Sequence, residues 1–101
     1  MVKHIILWKL KEDLTPEQKA TVIAGIKEGL ESLKGKVPGL IDIKVNTERI
    51  LPSSNADLML DATLESPEAL KGYAKHPAHV AIADTKVRPF TAARTCLDFE
   101  I

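Results

Sequence analysis

The chain has 101 residues, of which 14 are Lys or Arg and 14 are Asp or Glu, so its formal charge is zero. This balance argues against a nucleic-acid partner and against binding to an anionic membrane, because both select clusters of basic side chains. Cys96 is the single cysteine, so no disulfide can form within the chain. The sequence also lacks an apolar run of membrane-spanning length and the layout of a signal peptide. We expect a soluble cytoplasmic protein with one domain, residues 1–101.

The first predicted element is a strand from Val2 to Leu10 whose centre is apolar on both faces. One face carries Val2, His4, Ile6, Trp8 and Leu10. The other face carries Lys3, Ile5, Leu7 and Lys9. A strand of this kind needs cover on both sides. The pattern therefore indicates a second layer, or a partner subunit, over the sheet.

A helix is predicted to begin after Thr15, because three start signals coincide there. Thr15 can cap the helix, Pro16 suits its first position, and Gln18 can return a hydrogen bond as in a capping box. Apolar residues then follow at helical spacing, namely Val22, Ile23, Ile26, Leu30 and Leu33. Gly35 and Pro38-Gly39 predict the end of this helix.

Three further strands are predicted from alternating apolar and polar residues. They run from Leu40 to Thr47, from Ala56 to Leu64 and from Ala93 to Ile101. Before the last of them, Ser66-Pro67-Glu68 opens a second helix with the same start signals as the first. The order of elements is therefore βαββαβ.

The second helix is predicted to reach Lys75, to break at His76-Pro77 and to resume towards Lys86. Proline removes a backbone donor and disfavours a helical conformation in the residue before it. Two interrupted helical segments are therefore expected in this part of the chain.

Right-handed crossovers place both helices on one face of the sheet. The other face would then carry Ile6 and Trp8 among residues of mixed polarity, which are Asp42, Lys44, Met59, Asp61, Cys96 and Asp98. An exposed apolar patch usually marks an interface, so we expect two sheets to pack face to face in a homodimer. A polar-lined cavity would lie between the two sheets.

The segment from Tyr73 to Val80 holds two imidazoles and a phenol, at Tyr73, His76 and His79. Histidine titrates nearest neutrality, so it serves readily as a proton carrier or a metal ligand. The third histidine, His4, lies on the first predicted strand. These groups indicate a catalytic or metal-binding site only if their side chains converge on one pocket.

Over nearly its whole length the chain resembles the stress-responsive A/B barrel (Dabb) domain family. The matching segments are Val2-Lys3-His4-Ile5 and Trp8-Lys9-Leu10-Lys11-Glu12, then Tyr73 to Val80, and finally Leu97-Asp98-Phe99-Glu100. The resemblance implies an α+β ferredoxin-like sandwich that pairs into a dimeric α/β barrel. It implies less about activity, because one plant member forms large heat-stable assemblies while another is a polyketide cyclase without a cofactor.

The likeness to that cyclase includes Tyr73, the segment His76 to Val80, His4 and Asp98. It implies that His79 and Tyr73 form a catalytic pair and that His4 and Asp98 lie nearby. The rest of the pocket does not match, so no polyketide substrate is implied.

His79 is the candidate general base. If Pro77 starts a new helical segment, the positive end of that helix disfavours imidazolium and keeps the ring neutral. Asp98 could hold the other ring nitrogen, and Tyr73 could donate to a carbonyl oxygen as charge develops on it. On an unbroken helix of about 100° per residue, Tyr73 and His79 would diverge by roughly 120°. Only the break at His76-Pro77 can turn both inward.

Each candidate also has a structural interpretation. His76 can be a helix cap, and Tyr73 can be a core aromatic. His4 can bridge strands, and Asp98 can be a solvated or ion-paired residue. A metal half-site at His76 and His79, completed by His4 or Asp98, is disfavoured because the proline distorts its geometry. We expect neither a metal nor a cofactor.

Three functional hypotheses follow. The first is a cofactor-free cyclase, lyase or isomerase that acts on a small carbonyl compound, with His79 as base and Tyr73 as donor. The residues lining or supporting its pocket would be His4, His76, Asp98, Ile6 and Trp8. The second is a non-catalytic, stress-associated protein that acts through stable self-association, and the third is a carrier of a small ligand. An enzyme or carrier predicts an open cavity, whereas the structural hypothesis predicts one filled by Trp8 and Met59.

Overall fold

The computed structural model describes residues 1–101 and has the predicted order of elements. The strands are β1 (Val2–Leu10), β2 (Leu40–Asn46), β3 (Leu58–Leu64) and β4 (Thr91–Glu100). The helices are α1 (Pro16–Glu31), α2 (Pro67–Lys75) and α3 (Pro77–Ile82). A π-helical turn (Ala83–Val87) and a 3-10 turn (Arg88–Phe90) continue from α3 to β4. None of the helices combines the length and the hydropathy that a transmembrane segment needs.

The four strands form one antiparallel sheet in the order β2-β3-β1-β4. The chain between β1 and β2 passes over β3, and the chain between β3 and β4 passes over β1. This split βαβ arrangement is that of a ferredoxin-like fold. The prediction of an α+β ferredoxin-like sandwich is confirmed.

Both long helices begin at the predicted caps. The hydroxyl of Thr15 accepts a hydrogen bond from the N–H of Gln18, whose side chain accepts one from the N–H of Thr15. Ser66 caps α2 in a similar way by accepting from the N–H of Ala69. These bonds satisfy backbone donors that the first turn of a helix leaves unpaired. The sequence therefore determines the residue at which each of these two helices begins.

The core lies between the helices and one face of the sheet, and Ile6 and Trp8 belong to that face. Each of these two side chains is 4% exposed, and the register pairs them with Leu60 and Leu58 of β3. Cys96 lies opposite Ile6 in β4, and it is therefore on the helix side as well. The prediction that Ile6, Trp8, Cys96 and Asp98 occupy the face without helices was wrong.

The reason for this error is that residues 5–8 of β1 are all apolar, so the centre of the strand does not show which face is buried. The ends of the strand do show it. Val2 and Leu10 are buried, whereas Lys3 and Lys9 lie on the opposite face, where their ammonium groups reach solvent.

The face of the sheet without helices, called the open face below, is apolar near β1 and β4. Its apolar residues are Ile5, Leu7, Met59, Leu97 and Phe99. Asp42, Lys44 and Asp61 also lie there, as predicted, and Lys3 forms a salt bridge of 3.0 Å with Asp61. A lone protomer leaves Leu97 62% exposed and Phe99 44% exposed. This apolar surface is suited to cover by a second sheet.

Candidate active site

One extended residue separates α2 from α3, and it brings two candidate side chains together. His76 has φ −64° and ψ 132°, as expected for a residue that precedes a proline. Beyond this break, the rings of Tyr73 and His79 face each other with centroids 4.4 Å apart. The break therefore removes the angle of roughly 120° by which the two side chains would diverge on an unbroken helix.

Tyr73 and His79 line a cavity of about 430 Å³ between the helices and the sheet. His4, Ile6 and Trp8 contribute to its wall from β1. The cavity thus lies inside one protomer, and the prediction that it lies between two sheets was wrong. Its volume is in the range of small-molecule sites, and Trp8 lines it without filling it.

The hydroxyl of Tyr73 is a buried donor without a partner. The side chain is 1% exposed, and its Oη has no hydrogen bond within the protein. Burial raises the pKa of Tyr73 well above its ordinary value, although the charge of Arg94 opposes this effect. The phenol therefore keeps its proton. Since buried polar groups are normally paired, this unpaired hydroxyl is a donor left for a ligand, although Oη itself has almost no exposed surface and the side chains around it must shift to admit one.

His79 has one ring nitrogen engaged and the other free. Nδ1 lies 3.3 Å from the carbonyl oxygen of Ala74. Because a carbonyl only accepts, Nδ1 carries the proton and Nε2 has the free lone pair in the neutral ring.

Burial is the main cause that lowers the pKa of His79. The hydrogen bond to Ala74 opposes this effect, while the charges of Arg88, His4 and Arg94 lower the pKa further. The ring is therefore neutral near physiological pH, in the form that a general base requires.

Asp98 holds His4 rather than His79. Its carboxylate accepts a hydrogen bond from Nδ1 of His4, the residue opposite it in the sheet. The predicted contact between Asp98 and His79 is wrong, because Asp98 stands on the edge strand beside β1. The ring of Tyr73 lies edge-on to that of His4, with centroids 5.9 Å apart. Tyr73 therefore contacts both imidazoles, His4 and His79.

His76 does not line the cavity, in contrast to the prediction that it supports the pocket. Its Nδ1 accepts a hydrogen bond of 3.1 Å from the N–H of Ala78 and caps α3. The side chain lies in a separate surface groove next to Gly39 and Glu68. An imidazole used as a cap is occupied by the backbone, so the structural interpretation of His76 applies.

The residues that could hold a metal ion are His4, Cys96 and Asp98, whose ligand atoms all lie within 4.8 Å of one another. They differ from the half-site considered from the sequence, since His76 caps a helix while His79 faces the cavity. Burial raises the pKa of the Cys96 thiol, and the neighbouring Asp98 raises it further. This opposes the thiolate form that binds metals.

Two arginines of the cavity wall, Arg88 and Arg94, were not among the predicted site residues. Arg88 follows the π-helical turn, and Arg94 projects from β4 opposite Trp8. The sequence did contain a signal for Arg94. This residue lies four residues before Asp98 on the same strand, so the two share a face, and Asp98 was a predicted site residue. The sequence contained no such signal for Arg88, since the π-helical turn interrupts the regular helical period and so changes the direction in which the residues after it point.

The lowered pKa of His79 predicts a pH effect on stability. The unfolded chain takes up a proton near the ordinary value of 6.5, whereas the folded chain does so only at a lower pH. Stability should therefore fall as the pH drops below that value, because protons then favour the unfolded state. Urea unfolding of the parent and of His79→Gln, from about pH 7.5 to about pH 5, measures this contribution. Parallel pH profiles for the two proteins would contradict it.

The split βαβ sheet with its helices on one face defines a ferredoxin-like α+β protein. The model of one family, the Stress Responsive A/B Barrel Domain (Dabb), matches residues 2–101 of this chain. The chain therefore belongs to the Dabb family, as its resemblance in sequence predicted. A comparison with curated proteins gave no match.

Solved structures share the fold across the whole chain. A dimeric ferredoxin-like protein of unknown function from Bacteroides fragilis is 32% identical, with 99% of this chain and 95% of that one covered and a TM-score of 0.91. A dimeric ferredoxin-like protein from Thermobifida fusca is 25% identical, with 99% and 90% covered and a TM-score of 0.78. A hydroxynitrile lyase from Passiflora edulis shares the fold at 19% identity, with 99% and 92% covered and a TM-score of 0.73.

Proposed function

We propose that the protein is a cofactor-independent acid–base enzyme that acts on a small carbonyl compound and works as a cytoplasmic homodimer. The observation that carries this proposal is that Tyr73, a residue of the cavity wall, has an unpaired hydroxyl and packs against an imidazole whose Nε2 is free. A buried hydroxyl without a partner costs about 1–3 kcal/mol. A protein that served only as a stable assembly would gain nothing from it.

The reaction begins with the transfer of a proton to His79. Nε2 takes a proton from the carbon next to the carbonyl group, and the electron pair of that C–H bond forms a C=C bond. The π electrons of the carbonyl group move to its oxygen, which becomes an enolate oxygen. Tyr73 donates a hydrogen bond to this oxygen while its charge develops. The protein needs no metal for this step, because the phenol is already a neutral donor.

The enolate can then react in three ways. It can attack a second carbonyl group of the same molecule in an aldol closure, take the proton back at another carbon, or expel a leaving group from the adjacent carbon. His4, oriented by Asp98, lies beside Tyr73 and has its Nε2 on the side away from the carboxylate. We assign to His4 a positioning role for Tyr73. The hydroxynitrile lyase of Passiflora edulis indicates that this fold is compatible with a lyase.

The proposal is tested by deuterium exchange. Small ketones, diketones and oxo acids are incubated with the protein in deuterated water, and proton NMR follows the loss of the signal of the protons next to the carbonyl group. We expect at least one class of compound to exchange faster with the parent protein than with His79→Ala. If compounds raise the melting temperature but none exchanges faster than in buffer, the protein is a carrier and the enzymatic proposal is wrong.

The homodimer is the second part of the proposal, and it rests on the open face. A protomer alone exposes Leu97 and Phe99 on the open face of the sheet, which no helix covers. The similar proteins from Bacteroides fragilis and Thermobifida fusca are dimeric. Two copies packed through their open faces would bury this surface, and the cavity under the helices would stay accessible in each copy.

Leu97→Lys is predicted to shift the protein from dimer to monomer, because it places a charge in the apolar surface that the two sheets would bury. Leu51→Lys is the matched control, since Leu51 is 68% exposed and lies outside the sheet. Light scattering over a dilution series measures the mass. A monomeric parent, or a Leu97→Lys protein as dimeric as the control, would contradict the proposed interface.

A further inference from the structure

The charged residues of the cavity wall are of one sign. Arg88 and Arg94 line the cavity, and no aspartate or glutamate does. The chain as a whole has equal numbers of acidic and basic residues, so this excess is local. A cavity wall whose charges are all positive attracts anions, although both arginines are also open to solvent.

The two arginines differ in how their charge is balanced. Arg88 forms an ion pair with Asp84, one helical turn earlier in the chain. Arg94 forms no salt bridge, and its guanidinium is near enough to Tyr73 and His79 to affect the pKa of both. Its guanidinium also lies beside the thiol of Cys96, which contacts Asp98, so Arg94 has a carboxylate in its neighbourhood but no direct ion pair. A guanidinium suits a planar carboxylate, to which it can donate two parallel hydrogen bonds.

We infer that Arg94 binds a carboxylate of the substrate, so that the substrate class is a monoanionic oxo acid with an apolar body. This inference rests on the proposed function and specifies its substrate. The carboxylate lies on Arg94 at the edge of the sheet, and the apolar body packs against Ile6 and Trp8. The carbonyl group then reaches Tyr73 and His79. A single free cation matches a carboxylate better than a phosphate ester, which carries about two charges at neutral pH.

Calorimetric titration of the full chain tests the inference with 2-oxo-4-phenylbutanoate and its uncharged amide, 2-oxo-4-phenylbutanamide. We expect the acid to bind at least about tenfold more tightly than the amide. Arg94→Gln should abolish this preference. Arg49→Gln removes the same charge from an exposed residue outside the cavity, and it should keep the preference. Inorganic phosphate at equal concentration should not displace the acid.

Three results would overturn the inference: equal binding of the acid and the amide, a preference that survives Arg94→Gln, or displacement of the acid by phosphate. Deuterium exchange keeps this test separate from that of the proposed function. If neutral ketones exchange through His79 while acids show no preference, only the carboxylate inference fails. If the acid binds through Arg94 but its protons do not exchange, the catalytic proposal fails and the binding site stands.

Discussion

Replacing His79 with alanine is expected to lower the rate of catalysed proton exchange by about 100-fold or more while the melting temperature changes little. The loss follows because Nε2 of His79 is the free basic nitrogen beside Tyr73. Stability should change little, because the ring is only partly buried and its bond to Ala74 is long, at 3.3 Å. Deuterium exchange by NMR and thermal unfolding by circular dichroism measure the two effects.

The chain contains a matched control for this variant, His76→Ala. His76 lies three residues earlier but caps α3 through Nδ1 and does not line the cavity. Its removal should cost about 1 kcal/mol of stability, as for other caps, and leave the chemistry of the cavity in place. His79→Ala should thus lose activity and keep its stability, whereas His76→Ala should lose some stability and keep its activity. A large loss of stability in His79→Ala would mark that residue as structural, and near-parent exchange would exclude it as the base.

His4 is the alternative base, and the same experiment distinguishes it. It contacts the ring of Tyr73 from another side, and it is oriented by Asp98. Exchange that survives in His79→Ala but disappears in His4→Gln would transfer the role of base to His4. We expect the reverse, with His4→Gln retaining part of the activity, because a positioning residue acts through Tyr73.

Tyr73→Phe should slow exchange by about 100-fold and leave the protein as stable as the parent or more stable, by up to about 1 kcal/mol. The rate should fall because the hydroxyl is the donor to the enolate oxygen. Stability should not fall because the same hydroxyl has no partner in the folded chain. Chemical denaturation together with deuterium exchange measures both effects in one preparation.

The control for this variant removes the ring as well as the hydroxyl. Tyr73→Ala should cost about 3–5 kcal/mol, because the ring is almost fully buried and its loss leaves a cavity. A Tyr73→Phe protein that is clearly less stable than the parent would show that the hydroxyl is paired within the fold. Unchanged exchange in that variant would remove Tyr73 from the mechanism.

Local features of the fold could be read from the sequence because their causes are short-range. The capping box at Thr15 and Gln18 forms between residues three apart, and Pro77 acts on the residue before it. The errors concern boundaries: β2 ends one residue earlier than predicted, β3 begins two residues later, and β4 begins two residues earlier and ends one residue earlier. The fold class, which depends on the order of these local elements, was therefore predictable.

The candidate site was predicted in part. Tyr73 and His79 converge because of a local break, which the sequence shows directly. The side of the sheet to which Ile6 and Trp8 point was predicted wrongly, although the ends of β1 indicate it, and the contact of Asp98 with His4 depends on the register between β1 and β4. Arg88 could not be placed either, since it follows a π-helical turn that interrupts the helical period.

The sequence by itself determined the order of the elements and the capped starts of α1 and α2, and it determined that Tyr73 and His79 can face each other. These outcomes depend on hydrogen bonds and steric contacts within a few residues. Only the tertiary structure decided that the cavity lies under the helices, that Asp98 binds His4, and that Arg94 joins the wall. Those outcomes require residues far apart in the chain to meet, as His4 and Asp98 do at a separation of 94. Pairing over such distances is set by the packing of the whole sheet against its helices.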